Sequence, residues 1–379
     1  MTDVVIAAYK RSPFHFANKG ELTKVRPDEM AAQVVRALVR ESGIDPATIE
    51  DVVVGCAFPE GEQGLNVARL IAFLAGLPEN TAGVTVNRFC GSSMQAVHQA
   101  AGAIRMGAGD AFLCAGVESM TRVPMMGFNP MPHPGLAKDF PQAYISMGET
   151  AENVARRYQV TRRDQEAFAV ESHRKAAEAQ QEGRLDAEIV PITADGKTVE
   201  RDGCIRPETT AETLAGLKPA FQQDGTVTAG TSSPLTDGAA ALLVCSAEYA
   251  KAHGLKPLAR VKSIAVAGCA PEVMGMGPVE ASRKALARAG ITARDLDVVE
   301  LNEAFASQAL ACMRELGLDE AKVNKDGGAI ALGHPLGATG ARITGKAAQI
   351  LAREGGRYAL ATQCIGGGQG IATVLEAVR

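Results

Sequence analysis

Tryptophan is missing from this 379-residue chain, and aromatic residues make up only 4% of it. A core of that composition must be built from Ala, Val, Leu and Ile, which suits helices packed closely on a sheet better than a β-sandwich. No apolar run approaches the roughly 20 residues that a membrane-spanning helix needs. No block of five or more Lys/Arg occurs and the formal net charge is −4, so the chain offers no global basic field for nucleic acid. An anionic ligand would have to be met by local charge. The eight cysteines, at 56, 90, 114, 204, 245, 269, 312 and 364, stand singly. Without CxxC spacing they speak against a zinc ribbon, and without a secretion signal against a disulfide scaffold. Val4–Ala8 follows Met1-Thr2-Asp3 with no basic n-region or long h-region, and reads as a strand; the C-terminus carries no address signal. The expectation is a cytoplasmic protein.

What is present is glycine, 40 residues of it, in a chain long enough for two or three domains. Strand-like and helix-like segments alternate. Val4–Ala8, Val52–Cys56, Gly83–Asn87 and Ala111–Val117 read as strands, with helices near Pro27–Arg40, Asn66–Ala75 and Ser92–Arg105. The last third repeats the theme, and the repeat is visible in the letters. Gly43–Phe58 aligns without a gap to Gly290–Phe305, with Gly43/Gly290, Ile44/Ile291, Val52/Val299, Ala57/Ala304 and Phe58/Phe305 identical. This predicts a duplicated α/β architecture with both sheet faces covered. The expected division is 1–118 as the first half, completed by about 237–250, then 119–236 as an inserted covering domain, and 251–379 as the second half. The insertion opens with a loop rich in Met and Pro, continues with two helices, the second capped by Thr161-x-x-Asp164, and is expected to lie on the first half.

Four segments carry chemistry. In Val86-Asn87-Arg88-Phe89-Cys90-Gly91-Ser92-Ser93, Cys90 falls between a strand end and a helix start, where the helix macrodipole favours thiolate. His334 lies between Gly333 and Pro335 in a Gly-rich turn before a long helix, a setting for a base as well as for an ordinary core histidine. In Thr362-Gln363-Cys364-Ile365-Gly366-Gly367-Gly368-Gln369-Gly370 a Cys at a strand end is followed by glycines whose N–H groups suit an oxyanion or a phosphate. A dinucleotide-binding reading of that run fails because strand-like Ile371–Leu375 follows it. Glu300-Leu301-Asn302-Glu303-Ala304-Phe305 leaves a strand for a helix, with Asn302 as a cap or a water holder. In a doubly wound sheet such strand ends gather in one crevice.

Together these segments resemble the thiolase family, and within it the degradative 3-ketoacyl-CoA thiolases, over nearly the whole chain. The resemblance implies two βαβαβαββ halves in a five-layered αβαβα arrangement. It implies Cys90 as the acyl-accepting nucleophile, His334 as its activating base and Cys364 as the acid/base at the α-carbon. Backbone N–H groups of Cys90 and Gly366 would hold one oxyanion, and His334 with a water on Asn302 the other. The family's coenzyme A positions fall on Met147, Arg206, Ala229, Ser233, Ala304 and Phe305. CoA and acyl-CoA would be substrates, with no metal and no permanently bound cofactor, in a homodimer or dimer of dimers. The resemblance leaves open docking to a β-oxidation partner that carries the hydratase and dehydrogenase steps. Related ketoacyl synthases place His where this chain has Cys364. Short-chain biosynthetic thiolases carry His at the position of Ser146, which favours degradation over acetoacetyl-CoA synthesis. An inactive acyl-CoA- or lipid-binding relative is the alternative from outside the enzymes, and the presence of Cys90, His334, Cys364 and Asn302 argues against it.

Overall fold

The computed structural model describes residues 2–378. The first half runs β1 (Val4–Arg11), β2 (His15–Phe16), α1 (Pro27–Ser42), β3 (Asp51–Gly55), α2 (Val67–Leu74), β4 (Ala82–Val86), α3 (Ser92–Arg105) and β5 (Ala111–Ser119). The middle contains α4 (Pro134–Asp139), α5 (Met147–Arg157), α6 (Arg162–Gln181), the β6–β7 hairpin (Ile192–Ala194, Lys197–Val199) and α7 (Ala211–Ala215). β8 (Thr236–Ser246) and α8 (Ala247–Ala252) follow. The rest is β9 (Ala259–Gly268), α9 (Gly277–Ala289), β10 (Val298–Leu301), α10 (Ala306–Leu316), α11 (Ala329–Leu332), α12 (Leu336–Glu354), β11 (Tyr358–Ile365) and β12 (Gln369–Glu376).

The strands are ordered β10-β11-β12-β9-β1-β8-β5-β3-β4, with β2 beside β8. The order β3-β5-β8-β1 and the order β10-β11-β12-β9 are the same pattern met from opposite sides. In each, the outer pair is parallel and the other pairs antiparallel. Among the described residues the strand pairs that join the two arrays are Val5–Arg260 and Ile6–Ala259. α3 and α12 pack on each other and on strands of both arrays, while α1 and α2 cover the outer face of one and α9 that of the other, with α10 against α9. That stacking is the five-layered αβαβα arrangement. β4 leaves one edge unpaired among the described residues.

Local chemistry explains the duplicated unit. α1 and α9 both end on a glycine in the left-handed region, Gly43 and Gly290, each at φ 71°. Nothing crowds either position, so the backbone angle and not space demands glycine. A single 3₁₀ turn follows each (Pro46–Thr48, Ala293–Asp295) and then the strand. Close approach is the reason for glycine in the central layer instead. A Cβ on Gly340 of α12 would fall 2.3 Å from the Met94 nitrogen of α3.

The insertion departs from expectation. Its long helices lie on the second half: α6 packs against α10 and α11, and α5 against α10 and the Pro271–Met276 turn. The first half is met by the β6–β7 hairpin, with Ile192 and Val199 in its core, by Glu188 and Asp202 on the buried Arg11, and by the Met/Pro loop, where Phe128 N donates to Glu60. The Thr161/Asp164 capping box forms as expected.

Candidate active site

Cys90 occupies a 3₁₀ turn, Phe89–Gly91, between β4 and α3. Phe89 takes φ 43°, a strained value for a bulky residue. The turn is closed by neighbours. Asn87 Oδ1 accepts from the Phe89 N–H at 2.8 Å, and Ser92 Oγ accepts from Arg88 N at 2.9 Å while donating to Phe89 O at 2.6 Å. Gln363 Nε2 donates to the Cys90 carbonyl. The thiol is buried, and burial pushes it up to about 11 although the backbone N–H groups of Gly366 and Cys90 itself pull the other way. The expected lowering by the helix terminus is therefore overturned. A helix end contributes at most about 2 kcal/mol, whereas the rise from 9 to about 11 amounts to about 3 kcal/mol. Desolvation dominates. Cys364, also buried, is pushed well above the usual thiol range by burial and by the neighbouring Cys90.

His334 stands just ahead of α12, and its ring tautomer follows from two bonds. Thr339 Oγ lies 3.0 Å from Pro335 O and 2.6 Å from His334 Nδ1; with its hydroxyl proton directed to Pro335 O, it accepts from Nδ1–H, and the ring is assigned that tautomer. Nε2 is left as the bare nitrogen, 3.3 Å from the Asn302 Nδ2 donor. Burial, with Arg342 adding to it, lowers His334 to about 3, so the ring is neutral. Asn302 is fully buried, and its Oδ1 has no hydrogen-bond partner among the described residues. An orphaned buried acceptor of this kind suits a bound water. Asn302 is not a helix cap: α10 begins at Ala306 with Phe305 at the cap position.

Cys90, His334 and Cys364 share one cavity of about 610 Å³ with Met147, Arg206, Ala229, Ser233, Ala304 and Phe305. Asn302 and Gly366 lie just behind its wall, the first against His334 and the second with its N–H toward the Cys90 sulfur. Ser233 is drawn to Ala304 by two bonds to its carbonyl, from N at 3.0 Å and Oγ at 3.1 Å. Phe221 meets Phe305 edge to face at 5.9 Å. Lys19 and Arg206 are the lining cations, flanking the Phe16 ring at 4.3 and 5.9 Å. Arg206 also rests on His173, guanidinium to Nε2 at 3.1 Å. Lys19, Phe16 and Phe221 carry no motif that marks them in the sequence. Gln363 and Thr339 sit inside the marked segments, although their bonds become evident only in three dimensions. Ser146 also lines the cavity, but its hydroxyl is committed to a capping box with Glu149 at the start of α5.

Family models for the thiolase N-terminal domain and the thiolase C-terminal domain match residues 4–248 and 255–377. The chain belongs to the thiolase family. This thiolase is 49% identical to the 3-ketoacyl-CoA thiolase of Bacillus subtilis (strain 168), over 99% of this chain and 100% of that protein. It is 52% identical to the 3-ketoacyl-CoA thiolase of Pseudoalteromonas translucida (strain TAC 125), over 100% of both. Among solved structures, the Bacillus anthracis acetyl-CoA acetyltransferase superposes with TM-score 0.92 at 41% identity, covering 100% of this chain and 99% of that one. Human mitochondrial 3-ketoacyl-CoA thiolase does so at 0.92 and 36%, with the same coverage. This thiolase has no cluster of three or more His, Cys, Asp or Glu able to hold a metal among its described residues. No helix among them is long and apolar enough to cross a membrane.

Proposed function

We propose that this thiolase is a 3-ketoacyl-CoA thiolase, cleaving 3-ketoacyl-CoA with CoA into acetyl-CoA and a shortened acyl-CoA. The observation that carries this reading is that Cys90, His334 and Cys364 all line one cavity walled by Met120, Met125, Met147, Phe221, Leu235 and Phe305. The names of the curated relatives at about half identity support it.

In this reading Cys90 attacks the 3-keto carbon as its proton passes to the bare Nε2 of His334. The resting pair is thiol and neutral imidazole, so the proton moves with the attack. The bond between C2 and C3 breaks, and Cys364 delivers a proton to the acetyl-CoA enolate. The N–H groups of Cys90 and Gly366 face the sulfur and are placed to receive the oxygen of one thioester. Nε2 and the Asn302 amide serve the other, with a water on Oδ1. CoA thiol, deprotonated by the Cys364 thiolate, then takes the acyl group, and Cys90 leaves as thiolate and recovers its proton from His334. Arg206, joined by Lys19, meets CoA phosphates; Met147, Ala229, Ser233, Ala304 and Phe305 line the pantetheine path.

The division into 1–118 with 237–250, 119–236 and 251–379 belongs to this proposal, as does a cytoplasmic homodimer or dimer of dimers. The free edge of β4 with exposed Val84, near exposed Phe73 and Leu74, supports self-association. The biosynthetic alternative, condensation of two acetyl-CoA to acetoacetyl-CoA, is favoured by the likeness to the Bacillus anthracis acetyltransferase. Comparing kcat/KM for acetoacetyl-CoA with that for a long-chain 3-ketoacyl-CoA decides between them. Comparable or better turnover of the long substrate is expected; activity confined to the four-carbon one would replace the degradative reading.

A further inference from the structure

Two buried carboxylates hold the backbone on either side of His334, at Ile330 and at Gly337. Glu118, at the end of β5, accepts from Ala57 N at 2.8 Å, Phe58 N at 3.2 Å, Gln63 Nε2 at 2.8 Å and Gly337 N at 2.8 Å. Glu303, just after β10, accepts from Ser172 Oγ at 2.6 Å, Asn324 Nδ2 at 2.8 Å and Ile330 N at 3.1 Å. Both are essentially inaccessible, and no Lys or Arg among the described residues forms an ion pair with either. Buried charge without a cation is costly, and is tolerated where several N–H donors replace water. Burial pushes both carboxyls up, and the same donors pull them back.

The placement of those donors is the informative part. Ile330 lies four residues before His334, and Gly337 three residues after it. The segment is built around these anchors. A Cβ on Gly328 would fall 2.0 Å from the Glu303 carboxyl carbon, and one on Gly337 would fall 2.4 Å from the Val117 carbonyl oxygen. Each half of the duplicated fold thus contributes one anchor to the loop that presents the imidazole. We infer that Glu118 and Glu303 are positioning residues that together fix where His334 Nε2 stands relative to Cys90. This rests on the reading of His334 as the partner of Cys90.

The test uses the full chain with Glu118→Gln and Glu303→Gln, whose amide nitrogens would face N–H donors. Cys90 sites are counted by iodoacetamide alkylation, and acyl-Cys90 formation from a 3-ketoacyl-CoA is followed by rapid quench and mass spectrometry. A misplacement of the order of 1 Å costs about 100-fold. The expected result is a 10- to 100-fold slower acylation per titratable site in either variant, with KM within about twofold of wild type. Loss of titratable sites with an unchanged rate at those that remain would overturn the inference, because it marks a role in stability alone. Ser172→Ala decides if neither variant folds, since it removes one donor to Glu303 and the acceptor of Gly328 N at 3.3 Å. It should slow acylation about threefold, and an unslowed Ser172→Ala would likewise overturn the inference. Failure of wild type to form acyl-Cys90 would instead sink the functional reading beneath it.

Discussion

The turn that presents Cys90 and the turn that presents His334 are counterparts in the two halves, each lying between a strand layer and a central helix, α3 or α12. They solve the same problem differently. The first puts its strain on Phe89, a side chain that packs near Phe58, and aims backbone N–H groups of Cys90 and Gly366 at a short side chain. The second puts its unusual angle on Gly333, at φ 105°, and controls a ring through Thr339, Asn302 and the flanking carboxylates. In the proposed reaction the Cys90 turn, with Gly366 brought in from the second half, offers N–H groups to developing negative charge, and the His334 turn decides which nitrogen is bare. A duplicated scaffold has become one site because its two copies supply unlike groups.

Removing the second turn's contribution should have the largest effect. His334→Ala is expected to lower kcat by about 10³-fold, within the range for loss of a general base, with the Tm little changed. A loss below tenfold would mean that Cys90 needs no partner from the other half. The protonation state of the pair comes next. With Cys90 at about 11 and His334 at about 3, the free enzyme holds thiol and neutral ring at pH 7. Below its pKa a thiol gains thiolate tenfold per pH unit, so iodoacetamide alkylation of Cys90 should rise about 100-fold from pH 6 to pH 8. A plateau beginning below pH 7 would reveal a thiolate–imidazolium pair at rest. Thr339→Val deletes the acceptor of Nδ1–H and should lower kcat about tenfold, leaving KM in place, as for the loss of other groups that orient an imidazole. Arg206→Met is the mildest. KM for CoA should rise about fivefold and kcat hold, and the effect should shrink with dephospho-CoA if the lost contact is to the 3′-phosphate.

The comparison also shows what a sequence can carry. Strand ends, helix starts and glycine stops are local, so the duplication of Gly43–Phe58 in Gly290–Phe305 and the positions of Cys90, His334 and Cys364 were legible directly. Family resemblance extended that reading to Arg206 and Ser233. What depended on cover from distant chain was not legible. Burial raises the Cys90 thiol instead of lowering it, because β11, far along the chain, covers its turn through Gln363 and Ile365. α5 and α6 lie on the second half through contacts that their amphipathic pattern cannot specify. Glu118 and Glu303 read as ordinary acidic residues until their donors are seen. Of the two readings open for Asn302, a cap or a water holder, the cap fails: Phe305 holds that position, and the amide is turned to His334 instead.

The central claim is that both halves converge on Cys90 as the atom that carries the acyl group. Mass spectrometry of the protein quenched after mixing with a 3-ketoacyl-CoA tests it most directly. The account predicts one acyl adduct, on the peptide containing Cys90, absent in Cys90→Ser and cleared by added CoA. An adduct on Cys364 or another cysteine, or turnover that persists without any adduct, would contradict it.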